Sequence, residues 1–196
     1  MPRKISRQVA AIEGSGAAIC YTDEIWMRNG RRVNQKKRHA KFSGHIFDRC
    51  LPLCIISPSS ALIRREVFDG VGLFDETMAV CEDYDMWLRV TSRHPVLFLD
   101  EKLIVKQAGH GDQLSTRYTG MDRFRIDSLV RILKSGVLDR DQVSAVMGEL
   151  RRKCRVYGQG AARRDRQDEA VYYEKLPDVL AALTGCSGSR SPQGVS

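Results

Sequence analysis

The chain has 196 residues, of which 42% are hydrophobic and 29% charged, so it has material for a core and is excluded from the wholly disordered class. Its formal net charge of +8 favours anionic partners, among them phosphates, nucleic acid and acidic lipids, and selects none of them. No apolar run approaches the roughly 18–20 residues of a membrane span, and Met1–Gln8 lacks the apolar centre of a secretory signal. The expected location is cytoplasmic, or peripheral at the inner membrane face.

Ile5, Val9 and Ile12 share one helical face, which predicts a helix over residues 3–13 that ends near Gly14 and Gly16. Residues 17–21 read as a short apolar strand running into the acidic pair Asp23-Glu24. Asn29-Gly30 marks a turn, with residues 25–28 and 31–34 as hairpin arms. Residues 28–41 hold seven Arg or Lys and little apolar content. This stretch reads as an exposed, solvated loop; the other reading is contact with an acidic substrate. His39 and His45 read as surface residues.

Residues 47–56 are mostly apolar and run into the core, up to the break at Ser57-Pro-Ser-Ser60. Residues 61–63 resume as a strand, and residues 66–71 as a helical turn closed by Gly72. Leu73–Glu76 is a loop. Glu82-Asp83 open a helix in which Met86, Trp87 and Val90 give the spacing, and acidic residues there suit the helix dipole. Residues 96–99 and 103–105 read as two short strands around an Asp-Glu turn, followed by a glycine-containing loop at 109–115.

The character then becomes helical. Ile126, Leu129, Val130 and Leu133 form one stripe, ended by Gly136. Asp139 and Gln142 have capping-box spacing ahead of a second stripe through Val143, Val146, Met147, Leu150 and Cys154. A third helix is expected from about 161 to 175, and the Gly/Ser-rich tail is expected to be disordered. The six cysteines contain no C-x-x-C pair. Pro52 between Cys50 and Cys54 argues against a helical ligand pair, so buried, reduced thiols are expected.

Val71-Gly-Leu-Phe-Asp-Glu76 followed by Cys81-Glu-Asp-Tyr-Asp-Met-Trp-Leu-Arg89 resembles the acceptor-side half of family 2 glycosyltransferases, which have the GT-A fold. Tyr21-Thr-Asp-Glu24 and Ser57–Arg64 fit the same pattern, so the resemblance covers roughly residues 1–115. It implies an α/β architecture: an incomplete GT-A-like mixed sheet with flanking helices over residues 1–118. A small C-terminal helical module at 119–183 and a tail at 184–196 follow. It also implies transfer of a sugar from a nucleotide-sugar donor to a hydroxyl of a glycan or glycoconjugate, with inversion.

The attacking hydroxyl must lose a proton, and a carboxylate on the side away from the leaving nucleotide can take it. The resemblance puts this role on Asp83, with Glu82 beside it. Taken alone, the pair would read as a helix start. Asp83-Tyr84-Asp85 is also a literal D-x-D, but it opens a helix where a metal-binding D-x-D ends a strand. Asp85 is therefore expected to face solvent or cap the helix. His110, in the loop after the last strand, is the expected ligand to a catalytic Mn²⁺ or Mg²⁺ or contact to the diphosphate. Asp112 is a weaker candidate in the same loop, as are Gln113 and Ser115.

The nucleotide-binding half of such an enzyme, with its metal-binding D-x-D, has no counterpart here. The main metal ligands are expected outside this chain, and the chain alone is expected to bind nucleotide sugar poorly. A truncated gene, a separate N-terminal half and a new non-catalytic use remain open. Two rival functions belong to other classes. A nucleic-acid-binding module has the net charge and the basic stretch in its favour, but aromatics do not interleave with that stretch and no recognition motif is present. An interaction scaffold would use the C-terminal helices.

Overall fold

The computed structural model describes residues 1–108 and 120–184. It is an α/β molecule with a mixed sheet, flanking helices and a C-terminal set of helices. The chain divides into two compact units, residues 1–128 and the residues from Leu129 on.

The first unit opens with α1 (Lys4–Ser15), closed by Gly16 in the left-handed conformation at φ 70°. Its buried face differs from the expected one. Ile5 and Val9 are 56% and 38% exposed, while Gln8 and Ile12 are buried. The Gln8 amide donates to the carbonyls of Cys20 and Ser60, at 3.0 and 2.9 Å. An apolar side chain at this position could make neither bond.

β1 (Ile19–Arg28) is the central strand. β4 (Leu97–Ala108) lies parallel along one edge, pairing from Cys20 to Arg28. The other edge is shared by two short antiparallel strands, β3 (Ala61–Ile63) at Ile19–Tyr21 and β2 (Arg31–Val33) at Trp26–Arg28. Between them, residues 22–25 of β1 face no strand on that edge. The β1–β2 hairpin turns through Asn29 and Gly30, both at positive φ, as a two-residue turn demands.

Two boundaries differ from the sequence reading. The expected strand at 17–21 and the hairpin arm at 25–28 are one strand, continuous through Asp23-Glu24. Residues 96–99 and 103–105 also belong to a single strand, β4. Its register against β1 shifts at Thr22/Asp23 and again at Asp23/Glu24. The Asp100-Glu101 pair is therefore absorbed in a bulge and does not end the strand.

Between β2 and β3 lie 3-10 turns at Lys37–His39 and Pro58–Ser60 and the short helix α2 (Phe47–Cys50). Ile46, Phe47, Leu51, Ile55 and Ile56 are buried. α3 (Arg65–Val71) ends at Gly72, and α4 (Glu82–Thr91) follows a loop. Tyr84, Met86, Trp87, Leu88 and Val90 of α4 join Ile19, Tyr21 and Ile56 in the core.

α5 (Asp122–Lys134) runs across the division between the units. The second unit contains α6 (Arg140–Ala162) and α7 (Gln167–Thr184). Both arms of the Asp139/Gln142 capping box form, at 2.8 and 3.2 Å. Val146, Met147, Leu150 and Cys154 are buried as their spacing implies. At Gly158 an added Cβ would meet the Ala170 carbonyl at 3.4 Å, so the missing side chain lets α7 approach closely. α7 starts later than expected and passes through Pro177, losing one backbone hydrogen bond. Among the described residues no helix is long and apolar enough to cross a membrane.

Candidate functional site

The V-G-x-F-D-E loop and the E-D-x-D-x-W-x-R helix meet in space, and most of their side chains hold each other. Asp85 is buried and accepts from Arg89 Nε at 2.9 Å. The guanidinium of Arg89 also donates to the carbonyls of Val71 and Leu73. Phe74 packs edge-on against Trp87, with ring centroids 6.4 Å apart. Asp75 accepts from the Thr77 amide and hydroxyl, at 2.9 and 2.6 Å. The expectation that Asp85 faces solvent or caps the helix is thus corrected. It orients Arg89, which pins the loop.

Glu82 and Asp83 differ from Asp85. Both are half-buried in the first turn of α4, and among the described residues neither pairs with a cation. The turn before them is set by Cys81, a non-glycine residue at φ 65°. Asp83 Oδ1 accepts from the Tyr84 amide at 2.7 Å, and Oδ2 lies 3.3 Å from Cys54 Sγ. The same thiol lies 3.2 Å from the Ile56 carbonyl, so one S–H serves two acceptors. Burial, and then the Asp83 carboxylate, push the Cys54 thiol well above its ordinary value.

A second polar cluster lies on β1. Glu24 and Lys41 form an ion pair at 3.2 Å, with side chains only 1% and 5% exposed. Lys41 also donates to the Ile55 carbonyl and sits over the Tyr21 ring. The other Glu24 oxygen accepts from the Trp26 indole at 2.6 Å. Burial alone would raise the Glu24 carboxyl. The Ser57 hydroxyl, Lys41, Trp26 and Lys106 outweigh it and hold the group below the ordinary carboxylate value. Lys106 donates to the Ser57 hydroxyl at 3.0 Å.

Cys54, Ser57, Lys41 and Lys106 were not among the sequence candidates. Lys41 looks like any other cation of its basic run, and only the buried carboxylate opposite distinguishes it. His39 is half-buried against Trp26, with centroids 4.9 Å apart, and so is not a plain surface residue. His45 is exposed. His110, Asp112, Gln113 and Ser115 lie outside the described residues. Among the described residues no group of three or more His, Cys, Asp or Glu side chains could hold a metal ion. The described residues therefore assign no ligands to Mn²⁺ or Mg²⁺.

No family model matches the chain. It is 33% identical over 69 residues to proteins named uncharacterized glycosyltransferase in Rickettsia felis and in Rickettsia conorii. Those residues are 34% of this chain and 11% of each relative, so the match spans about a tenth of the length of these curated relatives. The similarity supports a relationship to glycosyltransferases at that coarse level.

Proposed function

We propose that this chain carries the acceptor-activating part of a glycosyltransferase of family 2 with a GT-A-type fold. It would transfer a sugar from a nucleotide-sugar donor to a hydroxyl of a glycan or glycoconjugate, with inversion. Asp83 is the general base and Glu82 its neighbour on the acceptor side. The acceptor oxygen forms a bond to the anomeric carbon. The bond from that carbon to the leaving diphosphate oxygen breaks, and the hydroxyl proton passes to Asp83.

The observation that supports this reading is the division of labour within one acidic helix start. Asp85 is tied to Arg89. Asp83 and Glu82 keep their carboxylates free of any cation among the described residues. A base needs such a lone pair, and a carboxylate serving only to hold the loop would look like Asp85. The likeness to proteins named glycosyltransferase adds to it.

The test is Asp83→Asn, assayed for transfer in the protein that carries this chain in the cell. Transfer is expected to fall by about 10²–10⁴-fold, the range of general base catalysis. The donor dissociation constant is expected to stay unchanged. Full transfer by Asp83→Asn removes this residue from the base role.

A further inference from the structure

The basic stretch between β2 and α2 is partly used and partly idle. Three of its residues fasten it to the sheet. Gln35 Nε2 donates to the Asp23 carboxylate at 2.9 Å and to the Glu24 carbonyl at 3.1 Å, beside the part of β1 that faces no strand on that edge. His39 packs on Trp26, and Lys41 pairs with Glu24. A loop so fastened is not a freely solvated one. The anchoring leaves a cavity of about 430 Å³ walled by this stretch, by β1 and by residues 98–102 of β4.

Arg32, Lys36 and Lys37 line this cavity, are exposed, and have no carboxylate partner among the described residues. Like charges gathered on one concavity repel each other, and an anion in it offsets that repulsion. Burial first, then Arg38, Lys106 and Lys41, hold His39 below its ordinary value against the opposing Glu24 carboxylate. The walls are not purely cationic. Asp100, which has no cation partner among the described residues, lines the cavity with Asn34 and the Gln35 side chain. A bare polyanion would meet Asp100 unfavourably. A hydroxyl-rich ligand with a single negative group would use both kinds of wall, its hydroxyls bonding the carboxylate and amides.

We infer that this cavity binds a saccharide through one anionic substituent, a phosphate or a carboxylate, held by Arg32, Lys36 and Lys37. Resting on the reading of Asp83 as the transfer base, this saccharide is part of the acceptor.

The inference is tested by calorimetric titration of the chain with glucose 6-phosphate, methyl glucuronide and neutral methyl glucoside. A short single-stranded oligonucleotide serves as the polyanion. At least one charged sugar is expected to bind about tenfold or more tightly than methyl glucoside, and the ranking of the two identifies the substituent. The double variant Lys36→Ala/Lys37→Ala is expected to lose about tenfold, with an unchanged melting temperature, since both residues are exposed. Asp100→Asn, which keeps an acceptor but loses its charge, is expected to weaken charged and neutral sugars alike. Equal binding of charged and neutral sugars overturns the inference, as does an unaltered double variant. Tighter binding of the oligonucleotide than of any sugar, with a steep salt dependence, also overturns it. Sugar binding is read without donor and does not involve transfer, which Asp83→Asn tests separately. Transfer retained by that variant therefore removes the base and leaves the cavity result standing.

Discussion

Glu24 and Lys41 set the energetic stakes at the scale of single residues. Both side chains are almost wholly buried, so removing one leaves an uncompensated charge in the interior. Lys41→Ala is expected to destabilise the protein by about 3–5 kcal/mol, measured by urea unfolding at neutral pH. The sign of the pH dependence follows from the direction of the Glu24 shift. Its carboxyl is held below the ordinary value, so its contribution is fully present above about pH 4.3, the unfolded reference. That contribution is lost as the pH falls through the lower folded value. Glu24→Gln is expected to flatten the acid limb of stability against pH, and an unchanged limb would show that other carboxylates set it. At Cys54 the neighbouring Asp83 carboxylate helps to hold the thiol up. Asp83→Asn is therefore expected to speed alkylation of Cys54 at mildly alkaline pH, read by mass spectrometry of the labelled peptide.

At the scale of elements, the motif of α4 is mainly a device for holding a loop. Arg89 ties Asp85 to the carbonyls of Val71 and Leu73, and Phe74 closes the contact on Trp87. Gly72, at φ +76°, allows the chain to reverse there, where an added Cβ would meet Arg89 at 3.6 Å. Arg89→Ala strands the buried Asp85 and is expected to cost about 2–4 kcal/mol, with faster proteolysis between 72 and 80. The start of α6 behaves more simply. Its capping box satisfies two backbone groups, so Asp139→Ala is expected to cost about 1 kcal/mol in thermal unfolding. Both effects are local, because each rests on hydrogen bonds within one neighbourhood.

At the scale of the whole molecule there are two compact units, residues 1–128 and the residues from Leu129 on. Calorimetry is expected to resolve two transitions, since multi-unit chains depart from two-state unfolding. Lys41→Ala should lower the transition of the unit ending at 128, and Asp139→Ala that of the unit from Leu129 on. A single transition lowered equally by both variants would show that the units unfold as one.

Local periodicity and turn chemistry are written in short stretches of the chain, and these were legible. Gly16 and Gly72 as helix stops, the Asn29-Gly30 hairpin, the Asp139/Gln142 cap and the apolar stripe through Met147 and Leu150 depend on neighbours a few residues away. The acidic helix start at Glu82-Asp83 was legible for the same reason. Partners far apart in sequence carry no such signal. That Gln8 is buried and Val9 exposed depends on two carbonyls, one of them 52 residues away. Which lysine of a basic run goes inside was decided by the carboxylate it meets. Whether Asp85 is solvated or clamped was decided by where Arg89 finds two backbone carbonyls. The sequence by itself determined where elements begin and turn, because those choices are set by backbone conformation and by partners one helical turn or one hairpin away. The tertiary structure alone decided which charges are buried and which pair across the chain, as Glu24 does with Lys41, because those contacts exist only once distant segments pack together.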